Sequence, residues 1–120
     1  MSELSGALGE VFAGRYLRAR GYRLISANYR TRLGEIDIVA EKDGVLIFVE
    51  VKTRSDGMIA LPSESVGSEK QRRLVRAAGQ FLRAEPAGRK TRFDVIEVYL
   101  DGPDKPREVR HIKNAFDSNI

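Results

Sequence analysis

Three carboxylates and a lysine stand in two neighbouring segments that otherwise resemble buried strands. The first segment contains Glu35 and Asp37, and the second contains Glu50 and Lys52. Residues 45–49 are all apolar, at odd and even positions alike, which is typical of a strand covered on both faces. Acidic and basic side chains are rarely buried without a partner. Their position at the end of such a strand therefore indicates either a functional site or an ion-pair cluster.

The turn between the two segments predicts which of these side chains face each other. Asp43-Gly44 is typical of a two-residue type I′ hairpin loop, because that turn needs a positive φ at both central positions. With this loop, the register places Asp37 opposite Glu50 and Glu35 opposite Lys52. Like charges directly opposite one another destabilise a sheet.

Two facing carboxylates favour a proton or a cation between them. A hard divalent cation with oxygen ligands fits Asp37 and Glu50. The alternative is a structural ion-pair cluster, in which Lys52 neutralises one carboxylate and the other stays solvated. Glu10 lies in a predicted helix among small neighbours that would let this face approach the same site. A surface glutamate without a role is the alternative for Glu10.

Composition limits the classes of function. The chain has 120 residues, 42% of them apolar and 32% charged, which predicts one soluble globular domain over residues 1–120. It has no cysteine, which excludes disulfides, thiolate catalysis and cysteine-based zinc sites. The single histidine, His111, is expected to have a structural or surface role. No segment reaches the roughly 20 apolar residues of a membrane span, and no secretory signal is evident, so we expect a cytoplasmic protein that does not enter a membrane.

The charge distribution is uneven. The formal net charge is +4, and Glu10, Glu35, Asp37, Glu50 and Lys52 together contribute −3, which leaves about +7 on the rest of the chain. An acidic pocket on a basic body suits an enzyme that binds phosphates and holds a cation where it cuts. A basic surface that serves only solubility is the alternative.

The remaining patterns predict an α/β fold of the order αβββαβ, with a mixed central sheet flanked by helices and a further edge strand. The predicted helices cover residues 3–20 and 68–84, and the predicted strands cover residues 22–30, 35–41, 45–52, 92–100 and 108–113. Ser68 and Gln71 form a capping-box pattern at the start of the second helix. The basic face of that helix is a candidate for phosphate contact. The polar loop over residues 53–67 has no clear period.

A set of short motifs runs through most of the chain: Gly9-Glu10, Gly21-Tyr22, Asn28-Tyr29-Arg30, Gly34-Glu35-Ile36-Asp37, Phe48-Val49-Glu50-Val51-Lys52-Thr53-Arg54, Lys70, Arg92-Phe93-Asp94 and His111-Ile112-Lys113-Asn114-Ala115-Phe116. In these motifs the chain resembles the YraN family of small endonuclease-like bacterial proteins, within the PD-(D/E)XK nuclease superfamily. The resemblance implies a restriction-endonuclease-like core, similar to that of archaeal Holliday-junction resolvases.

The resemblance also implies roles for individual residues. The metal-binding acids fall on Asp37 and Glu50, the lysine on Lys52 and the helix acid on Glu10. The backbone carbonyl of Val51 would join them around Mg²⁺ or Mn²⁺. We expect the neighbouring carboxylates to keep Lys52 charged, so that it stabilises the transition state rather than acting as a base. Glu35 belongs to the family signature and is expected to hold Lys52 in place. The basic candidates for contact with nucleic acid are Arg30, Arg54, Lys70 and Arg73.

The function implied is metal-dependent hydrolysis of phosphodiester bonds, in DNA more than in RNA, with branched or single-stranded DNA as candidate substrates. By analogy with resolvases, a homodimer would cut paired strands symmetrically. One alternative is a non-catalytic module of nuclease fold that binds nucleic acid for a DNA-processing partner protein. Another is an acidic scaffold that binds protein, which would show no salt-dependent affinity for DNA.

Overall fold

The computed structural model describes residues 3–54, 67–102 and 105–116 of the chain. These residues form two helices and five strands. They are α1 (Glu3–Ala19), β1 (Arg23–Arg30), β2 (Glu35–Lys42), β3 (Val45–Arg54), α2 (Ser68–Leu82), β4 (Lys90–Asp101) and β5 (Lys105–Ile112). This order confirms the predicted α/β class and the αβββαβ core with one added strand.

The five strands form one mixed sheet in the order β1-β2-β3-β4-β5. The pairs β1–β2, β2–β3 and β4–β5 are antiparallel, and β3–β4 is parallel. Parallel neighbours need a long crossover connection, and the chain from β3 to β4 includes α2 as part of it. The sheet therefore has the restriction-endonuclease-like arrangement that the sequence predicts.

The hairpin between β2 and β3 has the predicted turn and register. Asp43 and Gly44 have φ values of 52° and 78°, as a type I′ turn requires. The ladder starts at the pair Lys42–Val45 and continues to Ile38–Val49. The register that underlies the predicted site is thus confirmed up to the residues just before Asp37 and Glu50.

Each face of the sheet has its own hydrophobic core. On one face, Ala13 and Leu17 of α1 pack with Ile47 and Val49 of β3. On the other face, Leu74 and the alanines of α2 pack with Phe48 and other side chains. Strand β3 is buried on both faces from Leu46 to Glu50, as its continuous apolar run predicts. Near its end, Thr53 of β3 packs closely against Gly9 of α1.

Several boundaries differ from the predictions. Strands β4 and β5 begin two or three residues earlier than predicted, and β3 continues to Arg54. The capping-box prediction is wrong, because Gly67 rather than Ser68 is the N-cap residue and no side chain caps the helix. The predicted loop over residues 53–67 falls mostly on residues 55–66, which lie outside the described part of the chain.

Candidate active site

Asp37 and Glu50 lie side by side where the β2–β3 ladder ends. The backbone N–H of Val51 donates a hydrogen bond to Asp37 Oδ2 at 2.8 Å, which holds the Asp37 carboxylate against β3. Glu50 is only 3% exposed. Burial, and then the charge of Glu50, raise the pKa of Asp37 to about 7. The structure thus brings together the two carboxylates that the hairpin register predicts, and it makes their joint ionisation unfavourable.

Glu10 of α1 extends this carboxylate cluster from the neighbouring helix. Its Oε1 atom is buried and has no hydrogen-bond partner. Burial raises its pKa, and the charges of Glu35 and Glu50 raise it further. These effects place Glu10 near the end of the hairpin, as predicted, rather than alone on the protein surface.

A close contact between α1 and β3 brings this helix to the site. A Cβ atom added to Gly9 would lie 2.0 Å from Thr53 Oγ1, so a larger residue would force the Thr53 side chain to shift. Sequence reasoning emphasised other small residues around Glu10. The residue directly before Glu10 is the one that the packing requires.

Two lysines from different elements surround the Glu50 carboxylate. Lys70 of α2 forms a salt bridge with Glu50 Oε1, and Lys52 Nζ lies 3.7 Å from the same oxygen. Burial and the neighbouring Lys70 lower the pKa of Lys52. Burial opposes the charged form of Lys70 as well, but its hydrogen bonds with Glu50 and Lys52 raise its pKa. The pKa of Lys52 is thus lowered overall, although the charge of Glu50 acts to raise it, as the sequence predicts.

Glu35 does not have the expected position beside Lys52. Among the described residues, the β2–β3 ladder stops at Ile38–Val49, before it could pair Glu35 with β3. Glu35 pairs instead with Arg30 of β1, and their side chains form a salt bridge of 3.4 Å. The prediction that Glu35 holds Lys52 is therefore wrong. Glu35 still acts on the site through its charge, which reaches Glu10.

An open cleft of about 870 Å³ leads to Glu50. It lies between the β1–β2 turn and the first turns of α2, and its lining includes Arg30, Arg32, Lys70 and Arg73. A Cβ atom on Gly34 would approach Arg73 O to 2.7 Å, so the turn packs tightly on the α2 backbone. Three of the predicted nucleic-acid contacts, all but Arg54, thus share one cleft next to the carboxylates.

Arg54 lies apart from the described lining of this cleft. It is the last residue of β3, and its Nη2 atom is 3.7 Å from Glu97 Oε2. Its side chain is 14% exposed. The predicted role of Arg54 in contacting nucleic acid therefore has no support from the cleft geometry.

The donor set fits a hard divalent cation, although the side chains are not gathered around one. Asp37, Glu50 and Glu10 supply carboxylate oxygens, and the buried Oε1 of Glu10 is without a partner. Oxygen-only ligation suits Mg²⁺ or Mn²⁺. Among the described residues, no three His, Cys, Asp or Glu side chains form a ready metal cluster. The ammonium groups at Glu50 provide a physical reason, because they already supply that carboxylate with positive charge.

A second buried polar cluster was missed by sequence reasoning. Asp94 is fully buried and accepts hydrogen bonds from Arg92 Nε and Nη2, each 2.8 Å, and from the Asn114 N–H at 2.9 Å. His111 Nε2 lies 2.7 Å from Asp94 Oδ2, and Arg92 also reaches the Tyr22 hydroxyl. Burial opposes ionisation, but the bonds with His111 and Arg92 lower the pKa of Asp94 to about 2. The network joins β4 to the end of β5, which supports the structural role expected for His111.

The fold and the site define a class of protein, an α/β domain with a restriction-endonuclease-like core and a carboxylate–lysine cluster at the end of its central hairpin. Residues 9–98 match the family described as "Uncharacterised protein family UPF0102". The chain belongs to this family, which confirms the resemblance to YraN proteins.

The relatives share nearly the whole chain. A UPF0102 protein of Alkaliphilus oremlandii (strain OhILAs) is 46% identical over 119 residues, covering 97% of this chain and all of the relative. The UPF0102 protein STH1475 of Symbiobacterium thermophilum is 48% identical over 119 residues, covering 97% of this chain and 98% of the relative. A UPF0102 protein of Moorella thermoacetica is 45% identical and covers 92% of this chain and 93% of its own length. None of these names states an activity.

Among the described residues, no helix is long and apolar enough to cross a membrane.

Proposed function

We propose that this protein is a metal-dependent nuclease that hydrolyses phosphodiester bonds in DNA. The observation that carries the proposal is that an open cleft leads to Glu50, which lies beside Asp37 and 3.7 Å from Lys52 Nζ. A structural ion-pair cluster has no need for Asp37, whose partly buried carboxylate lies beside another carboxylate. Strongly perturbed groups in a cleft are typical of functional sites.

The metal would be held by Asp37 and Glu50, with Glu10 and the backbone carbonyl of Val51 as further oxygen ligands. Mg²⁺ or Mn²⁺ supplies a Lewis acid for the phosphoryl group and lowers the pKa of a bound water. The Val51 N–H fixes the orientation of the Asp37 carboxylate. The chain thus positions oxygen donors on two adjacent strands and one helix.

Lys52 supplies a proton-transfer or charge-stabilising group beside the scissile phosphate. Burial and Lys70 lower its pKa, which brings this amine closer to the range of a general base than an exposed lysine. We expect Lys52→Met to abolish cleavage while metal binding is retained, because the oxygen donors remain. Metal titration followed by calorimetry measures the retained binding, and loss of that binding would contradict a role confined to the substrate.

The cleft binds the phosphate backbone rather than the bases. None of its described lining residues is aromatic, so the cleft lacks the stacking surface typical of base recognition. Its arginines and lysine favour phosphate contacts, which carry little sequence information. We therefore expect affinity to fall steeply with salt and to depend little on sequence.

The experiment that tests the proposal is cleavage of labelled linear, single-stranded, flapped and four-way-junction DNA in Mg²⁺, Mn²⁺ or EDTA. Asp37→Ala and Lys52→Ala proteins, purified in parallel, exclude a contaminating nuclease. Metal-dependent cutting that disappears in both variants supports the proposal. Salt-dependent binding without cutting under any condition would instead favour a non-catalytic module that presents nucleic acid to a partner protein.

A further inference from the structure

Glu50 has two cations at one of its oxygens, although it is almost completely buried. Lys70 contacts Oε1 directly, while Lys52 Nζ is 3.7 Å from the same atom. A buried carboxylate is costly unless it is paired. The Lys70 ammonium group supplies this pairing charge, and it occupies the place beside Glu50 that a bound metal would need.

We propose that Lys70 is the built-in counter-ion of Glu50, and that a divalent cation displaces it into the cleft, where its ammonium group meets a substrate phosphate. This inference rests on the proposed function, because it concerns the same carboxylate and the same cleft. It assigns Lys70 two alternative partners, one in the metal-free protein and one in the loaded protein.

Lys70, rather than Lys52, is the group that can move. Lys52 lies within β3, and its side chain is 24% exposed, whereas the Lys70 side chain is 48% exposed on the first turn of α2. A lysine ammonium group is a compact charge on a flexible four-carbon chain. A rotation of the Lys70 side chain can therefore release Glu50 without a change in the backbone.

The cleft provides the second partner for the displaced group. Lys70 lines it together with Arg30 and Arg73. Arg30 and Arg73 each have an acidic neighbour, Glu35 at 3.4 Å and Glu69 at 3.6 Å. Lys70, by contrast, would lose its carboxylate partner, because the metal would bind Glu50. Metal binding would therefore free the positive charge of Lys70 for contact with phosphate in the cleft.

The first test measures the affinity for metal alone. Mn²⁺ is titrated calorimetrically into the wild-type protein, Lys70→Met and Arg73→Met. Arg73→Met is the matched control, because it removes one charge from the same helix and cleft without touching Glu50. We expect Lys70→Met to bind Mn²⁺ about tenfold more tightly than the wild type, a change of about 1.4 kcal/mol. Arg73→Met should differ from the wild type by less than about twofold, as expected for an exposed charge.

The second test follows Lys70 itself. Lysines of the wild-type protein are acetylated briefly with acetic anhydride in EDTA or in Mn²⁺, and the labelled positions are measured by mass spectrometry. A displaced Lys70 loses its carboxylate partner, so its labelling should increase several-fold in Mn²⁺. Lys90, an exposed residue at the start of β4, is the internal reference and should be unchanged.

The outcomes separate this inference from the proposed function. Tighter binding by Lys70→Met together with metal-dependent labelling of Lys70 supports the inference. The inference is wrong if the wild type binds Mn²⁺ but Lys70→Met binds it no more tightly. It is also wrong if the labelling of Lys70 is the same in Mn²⁺ and in EDTA. In both cases the proposed metal-dependent function is unaffected. If none of the three proteins binds Mn²⁺, both are wrong.

Discussion

Replacing Asp37 by asparagine should make the metal-free protein more stable at pH 8. Folding raises the pKa of Asp37 from 3.8 to about 7. Below pH 3.8 the carboxyl is protonated in both the folded and the unfolded state, so its pKa shift does not change the free energy of unfolding. As the pH rises from 3.8 to about 7, the unfolded state ionises first and gains stability relative to the fold. With 1.36 kcal/mol per pKa unit, the full cost above pH 7 is about 4 kcal/mol.

Part of this gain is offset in the variant. The Val51 N–H bonds to a carboxylate in the wild type and would bond to a neutral amide oxygen in Asp37→Asn, which costs about 1 kcal/mol. Asp37 is only partly buried, so screening by solvent lowers the gain further. We therefore expect a net stabilisation of about 2 kcal/mol at pH 8 that vanishes near pH 4.

Urea denaturation in EDTA at pH 4, 6 and 8 measures this difference. Asp43→Asn is the matched control, because it is the same substitution at an exposed turn position whose φ of 52° asparagine tolerates. Its stability should stay within about 0.5 kcal/mol of the wild type at every pH. An Asp37→Asn protein that is less stable than the wild type at pH 8 would refute the electrostatic reasoning.

Metal should oppose the stabilising effect of Asp37→Asn. Mg²⁺ at 100 times its dissociation constant should stabilise the wild type by about 2.7 kcal/mol. Asp37→Asn should gain much less from the same addition, because one ligand has lost its charge. Equal stabilisation of both proteins by Mg²⁺ would place the bound ion away from Asp37.

Two further predictions concern the fold around the site. Asp94→Asn should cost about 3 kcal/mol near neutral pH, because it leaves buried donors without their anion. Folding lowers the pKa of Asp94 from 3.8 to about 2, so its stabilisation is complete above pH 3.8 and is lost as the pH falls through 2. Urea titrations between pH 2 and 6 should show that the free energy of unfolding falls less steeply with decreasing pH in the variant than in the wild type. An equal dependence on pH in both proteins would contradict this prediction. Gly9→Ala should lower the melting temperature, because the new methyl group meets Thr53 Oγ1. Gly79→Ala, with open space around it, should raise the melting temperature, since alanine is the better helix former; equal shifts would remove the packing argument.

The sequence could predict the fold and the central carboxylate pair because both depend on local signals. Asp43-Gly44 specifies a turn, the turn specifies a register, and the register carries Asp37 to Glu50. These steps involve only residues that are close along the chain. Strand β3 could also be predicted, because its burial on both faces requires a continuous apolar run in the sequence.

The errors arose where the outcome depends on distant parts of the chain. Burial and then Lys70 lower the pKa of Lys52, and Lys70 reaches the site from α2, a helix whose docking no local pattern specifies. The Asp94 network joins residues from both ends of the chain, and its signal was a pair of short polar motifs without a periodicity. Glu35 was misplaced because an ideal register was extended beyond the point where the ladder ends.

The Asp94 network and the carboxylates around Asp37 have opposite effects on the stability of the fold. This contrast supports a functional role for the Asp37 site. The fold supplies Asp94 with donors on several sides and lowers its pKa, so that carboxylate stabilises the native state. It leaves Glu10 Oε1 without a partner and places Asp37 beside Glu50, which raises the pKa of both Asp37 and Glu10. A chain that can satisfy one buried carboxylate so completely has the means to satisfy others. The divalent cation that we propose would relieve the unfavourable charge of these carboxylates.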